Sequence, residues 1–171
     1  MIATLLAATC AVVADEQTVE PMLRSSGEPG GVKRVSVVQR EAELATINVP
    51  ERISTESFRN GLSEALWSST REAVALAFQD KSQTFAVVFV RMPDGRFSAA
   101  DINAVEVGNF GKLGTKPDHF RRFETKPVKW LKRSDNLFQV LMETKAWDAS
   151  GKALAASEPL VIKSDGTPLF R

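Results

Sequence analysis

His119 is the chain's one histidine, and it stands in Asp118-His119-Phe120-Arg121-Arg122. Nucleophilic catalysis sets a base, usually histidine, against Ser, Thr or Cys. No Gly-x-Ser-x-Gly elbow offers His119 such a nucleophile, so it reads as a surface residue at a loop-to-strand junction. The segment Gly108-Asn109-Phe110-Gly111-Lys112-Leu113-Gly114 has glycines and a lysine but not the spacing of a phosphate-binding loop. It reads as a long flexible loop. Asp101, Glu106, Glu124, Glu143 and Glu158 fall on or near expected strands. Asp101, within Ala99-Ala100-Asp101-Ile102, is the acid to inspect as a pocket base, and an ordinary turn or bulge residue would look the same. One Cys and one His exclude a disulfide framework and a thiolate or imidazole zinc cluster, which needs about four ligands. No cofactor and no metal are expected, and no catalytic residues are assigned.

The strongest local signal is electrostatic. From Lys112 to Arg133 there are eight Lys and Arg against Asp118 and Glu124, a local charge of +6 in a chain whose formal net charge is +1. The remainder is therefore acidic, at −5, and the molecule is expected to be polarised. Phe110, Phe120, Phe123 and Trp130 interleave with these cations, as aromatic residues do on polyanion-binding surfaces. Lys126, Lys129, Trp130, Lys132 and Arg133 are the expected binding residues, for an acidic protein partner or an anionic surface. The competing reading is that lysines guard an edge strand while the aromatics form core. Trp130 separates the two: outward it anchors a contact, inward the charges serve solubility.

Residues 1–14 carry no charge and are mostly Ala, Leu, Val, Ile and Thr, after which Asp15-Glu16-Gln17 changes the composition abruptly. The run is shorter than the ~20 residues that span a bilayer core, and Val12-Val13-Ala14 ends in the small residue that signal peptidase requires. It reads as a signal peptide without a basic n-region. The mature chain is then expected from Asp15, periplasmic or secreted, without a transmembrane helix. Cys10, in Leu6-Ala7-Ala8-Thr9-Cys10, offers lipid anchoring as the alternative. Export makes nucleic acid an unlikely partner. Residues 15–31, with Pro21, Pro29 and three glycines, read as a flexible tether, and 32–171 as one domain.

These residues must be positioned by elements that the pattern only partly specifies. Strands are expected over Val32–Gln39 and Glu41–Val49. Ser54-Thr55-Glu56-Ser57 caps a helix from about Thr55 to Trp67, with Phe58, Leu62, Ala65 and Leu66 on its apolar stripe and Arg59, Ser63 and Glu64 away from it. Ser69 and Glu72 form a possible second capping box, which favours helix continuing to about Phe78; the alternation of Val74, Leu76 and Phe78 favours strand. Phe85–Val90 is a near-continuous apolar run, expected of a strand covered on both faces. Pro93-Asp94-Gly95 closes a hairpin, and further strands follow at about 120–132, 137–147 and 153–163.

This order predicts an α+β fold: an antiparallel, hairpin-connected sheet of four to six strands packed by one main helix. The architecture resembles the cone-shaped sheet around a helix in cystatin-like or nuclear-transport-factor-like (NTF2-like) folds, by analogy of element order alone. Leu62, Leu66, Phe85, Val87, Phe89, Val140 and Trp147 are the expected core. A length of 171 residues with 43% apolar and 25% charged side chains suits one globular domain. The sequence leans towards a non-catalytic binding or assembly module; the alternative is a small enzyme or ligand carrier with a buried carboxylate in a pocket between helix and sheet.

Overall fold

A computed structural model describes residues 19–27, 32–80, 84–101, 109–114, 119–131, 137–163 and 165–169. The leader with Cys10 lies outside the described residues, as do Lys132 and Arg133. Met22–Ser26, within the stretch read as a tether, forms strand β1 and pairs with β2 (Lys33–Gln39). The β2 strand returns through Arg40 and Glu41, both at positive φ, into β3 (Ala42–Val49). Positive φ at both central residues gives a two-residue turn whose twist matches the strands it joins.

Helix α1 (Thr55–Ser63) starts where the sequence places it. The Ser54 hydroxyl accepts from the Ser57 N–H at 3.1 Å, and Glu56 puts an acid in the first turn. It stops well short of the expected end. Leu66–Trp67 is β4 and Ala73–Gln79 is β5, an antiparallel pair. The Ser68 N–H bonds the Ala73 carbonyl at 2.8 Å, the Ser68 hydroxyl accepts from the Ala73 N–H at 3.0 Å, and Arg71 sits at φ 57, which no helix tolerates. Glu72 accepts from the Thr70 hydroxyl at 3.0 Å instead of closing a capping box with Ser69. The strand reading of 73–79 therefore prevails, because its large side chains alternate and need a sheet face to cover.

β6 (Thr84–Arg91) and β7 (Phe97–Asp101) complete a sheet of order β4-β5-β6-β7, with the hairpin expected at Pro93-Asp94-Gly95. Gly95 lies at φ 84 and its N–H bonds the Met92 carbonyl at 2.9 Å. A third sheet of order β11-β10-β9-β8 follows, from β8 (Arg122–Trp130), β9 (Leu137–Trp147), β10 (Ala153–Lys163) and β11 (Pro168–Leu169). In the β9–β10 turn, the Ser150 hydroxyl and the N–H groups of Lys152 and Ser150 bond the Asp148 carboxylate, holding its pKa below the usual range.

The described residues are thus mainly β, with three antiparallel sheets and short helical segments at α1 and 109–113. The expectation of one sheet of four to six strands packed by one main helix is corrected. The antiparallel, hairpin-connected character holds, but a nine-residue helix is too short to cover a sheet alone. The middle sheet is instead covered on both faces. Val74, Leu76, Phe78, Val87 and Phe89 meet Val35, Val37 and Val49 of the first sheet with Phe58 of α1. Ala73, Ala75, Ala86, Val88 and Val90 meet Phe138, Val140, Met142, Leu160 and Ile162 of the third. Of the expected core, Val87, Phe89 and Val140 are buried. Leu62, Leu66, Phe85 and Trp147 are only half-buried. Leu66 belongs to an edge strand, and Trp147 stands on the outer row of β9 beneath the Arg122 guanidinium, 5.1 Å from its ring centre.

Helix α1 reaches the middle sheet through Gly61. A Cβ there would meet the Ala77 carbonyl oxygen and the Phe78 ring, while Phe58 stacks on Phe78 with ring centres 5.5 Å apart. Gly61→Ala should destabilise the protein by about 1–3 kcal/mol, because a backbone oxygen cannot turn aside as a side chain can. The urea midpoint should fall accordingly, while Arg59→Ala on the exposed side of α1 should stay within about 0.5 kcal/mol of the parent.

Candidate functional site: a polar cleft beside a charged edge strand

β8 is an edge strand whose pairing with β9 slips between Pro127 and Lys129. Proline suits that place, having no N–H to offer a second neighbour. The bulge also reverses the side-chain alternation, so Thr125 and Trp130, five residues apart, both turn inward. Thr125 is fully buried. Trp130 packs against the core, meets Phe138 edge-on at 6.4 Å between ring centres, and donates its indole N–H to the Leu66 carbonyl at 2.9 Å.

Lys126 lies opposite Glu143 and Lys129 opposite Leu141, which are on the outer row of β9. These two lysines therefore share one face, Lys129 exposed and Lys126 half-buried. The interleaved aromatics do not join them. Phe110 is buried between Phe120 and Phe123, at 5.9 and 5.0 Å between ring centres.

The residues expected to form a long glycine loop include the helical stretch 109–113, which ends at Gly114 with φ 69. Lys112 is held there by the Glu158 carboxylate at 2.9 Å and the Ser157 carbonyl at 3.1 Å. The buried Asn109 donates to the Thr144 hydroxyl at 2.9 Å. From Thr144 a chain of hydrogen bonds crosses to the middle sheet. Thr144 and Thr125 hydroxyls bond at 2.9 Å, the Thr125 N–H donates to Thr84 at 2.8 Å, and Thr84 donates to Gln79 at 2.9 Å. Gln79 in turn donates to the Phe123 carbonyl at 3.1 Å. The outer edge of β8 is thus engaged by side chains of the β5–β6 hairpin. Among the described residues, the buried Asn109 Oδ1 has no hydrogen-bond partner.

Where this polar seam reaches the surface, a cleft of about 390 Å³ opens between α1 and β8. Its helix wall carries Glu56, Asn60 and Glu64, one every four residues and hence on one side of α1. Its strand wall carries Arg122, Glu124 and Lys126, and Ala77, Gln79, Thr84 and Thr125 form the floor. Arg122 and Glu124 make an ion pair at 3.4 Å.

Among the described residues no carboxylate is fully buried, and no three His, Cys, Asp or Glu side chains come together as metal ligands would. His119 is exposed and does not line the cleft. Asp101 ends β7 opposite Val87, and its side chain lies outside what is described. No helix among the described residues is long and apolar enough to cross a membrane.

Sequence reasoning missed the helix wall. The four-residue spacing of Glu56, Asn60 and Glu64 was visible, but the strand facing it is about sixty residues away in the chain. No protein-family model, curated protein or solved structure matches this chain.

Thr125→Val keeps the shape of the side chain but removes the hydroxyl that meets Thr144 in the buried seam. Stability should drop by about 1–3 kcal/mol in urea unfolding. A variant as stable as the parent would show that the seam tolerates an unpaired threonine.

Proposed function

We propose that this chain is an exported, periplasmic or envelope module without catalytic activity, which contacts another macromolecule through the cationic side of β8. One observation carries the reading: the core is filled on both faces of the middle sheet, and among the described residues the ionic side chains other than the buried Lys33 lie outside it, several of them on β8 and around a surface cleft. A solid core with charges arrayed outside suits an interaction surface, whereas a pocket enzyme needs a desolvated acid or base. Lys126 and Lys129 supply the described part of the surface. Lys132 and Arg133 extend it in sequence. The partner is an acidic protein or an anionic surface.

The inward Trp130 removes the aromatic anchor, so attraction rests on charge and acts mainly on encounter rate. That same orientation favours a second reading, in which the lysines and Pro127 only protect an edge strand from pairing with other chains. The double variant Lys129→Glu, Lys132→Glu separates the two. With partner recovered from the native envelope, association at low salt should slow by about tenfold and the difference should shrink as salt rises. Thermal unfolding should be unchanged. An association rate equal to the parent's across the salt series would leave edge protection as the role of these residues.

A further inference from the structure

The cleft between α1 and β8 is polarised, and its charges are not used up by the fold. Glu56 and Glu64 on the helix wall form no ion pair among the described residues, and neither does Lys126 on the strand wall. Glu143, opposite Lys126, is engaged with Lys145 at 3.2 Å. The floor is already satisfied, because Gln79, Thr84 and Thr125 bond one another and the β8 backbone.

Glu64 stands at the carboxyl end of the helix wall. It is the C-cap of α1, its N–H bonding the Asn60 carbonyl at 2.9 Å, and the last helical turn contains no basic residue. The carboxyl end of a helix carries partial negative charge from its unsatisfied carbonyls, so an anionic side chain there opposes helix stability. A cation seated beside Glu64 would meet the side chain and the helix end together. Across the cleft, Lys126 and the partly engaged Arg122 offer the complementary sign. Local rules broken without compensation within the fold tend to mark functional positions.

We infer that this cleft binds a small zwitterion carrying a primary ammonium group and a carboxylate, with the ammonium end at Glu64 and the carboxyl end of α1 and the carboxylate end at Lys126 and Arg122. A volume of about 390 Å³ is at the small end of the range for ligand sites and suits a molecule of dipeptide size. This inference does not rest on the macromolecular contact proposed above: the two share Lys126, but that contact runs on to Lys129 and Lys132 and does not use Glu64.

Glycylglycine is the probe, titrated into the full chain and followed by the backbone amide resonances of Gly61, Ala77, Thr84 and Thr125. Saturable shifts with a dissociation constant of about 1 mM are expected, with N-acetyl-glycylglycine and glycylglycine amide each at least about tenfold weaker. Glu64→Gln should weaken binding by a similar factor while leaving the free protein's melting temperature unchanged or higher, since it removes an acid from a helix C-terminus. Lys126→Gln should weaken it too, and the Lys129→Glu, Lys132→Glu protein should bind glycylglycine as the parent does. Absence of shifts up to about 50 mM glycylglycine, or binding of either blocked dipeptide as tightly as glycylglycine itself, would overturn the inference, and the second outcome needs no variant to fold.

Discussion

The sorting of side chains by size across β5 and β6 is the constraint on which the other layers depend. In β5 the order Ala73-Val74-Ala75-Leu76-Ala77-Phe78 sends alanine to one face and large residues to the other. The alanine face admits Phe138, Val140, Met142, Leu160 and Ile162 from the third sheet; the bulky face is closed by the first sheet and α1. Each large side chain so buried stabilises the fold by roughly 1.5–3 kcal/mol before entropy is charged against it. A slip of one residue would put Leu76 and Phe78 against Phe138 and Val140, overfilling one layer and emptying the other. Register in the middle sheet thereby determines where both outer layers can sit.

The polar seam begins where that layering runs out. At the turn end of the β5–β6 hairpin the pair is Gln79 and Thr84 rather than apolar residues, and the inner row of β9 changes from Met142 to Thr144. The helical stretch 109–113 takes over there, inserting Asn109 against Thr144 and Phe110 against Phe123. Buried hydroxyls without partners would cost more than the apolar contacts they displace, so they bond in sequence across the two sheets. The seam holds β8 beside α1, which brings the two charged walls of the cleft together.

Local elements were legible in the sequence and their assembly was not. The Ser54 cap, the Pro93–Gly95 turn, the two-faced run Phe85–Val90 and the last long strands were all written in short-range pattern. Residues 64–78 misled because alanine is the best helix former, so Ala73, Ala75 and Ala77 argue for helix until the size alternation between them finds a sheet to serve. β1 was hidden in a stretch rich in turn formers, and its existence depends on β2 as a template. The basic segment was recognised as a cluster, yet the bulge at Pro127 that turns Trp130 inward is set by pairing with β9. The helix wall of the cleft acquires meaning only through its distant strand partner.

Native-state hydrogen exchange across a denaturant series tests the central role of the middle sheet most directly. The amides of Val74, Leu76, Val88 and Phe89 should be among the slowest to exchange and should open only with global unfolding, because both of their faces are buried. Exchange of these amides as fast as those of the edge strand β1, with β9 and β10 still protected, would contradict that central role, since the third sheet would then hold its structure without the middle layer.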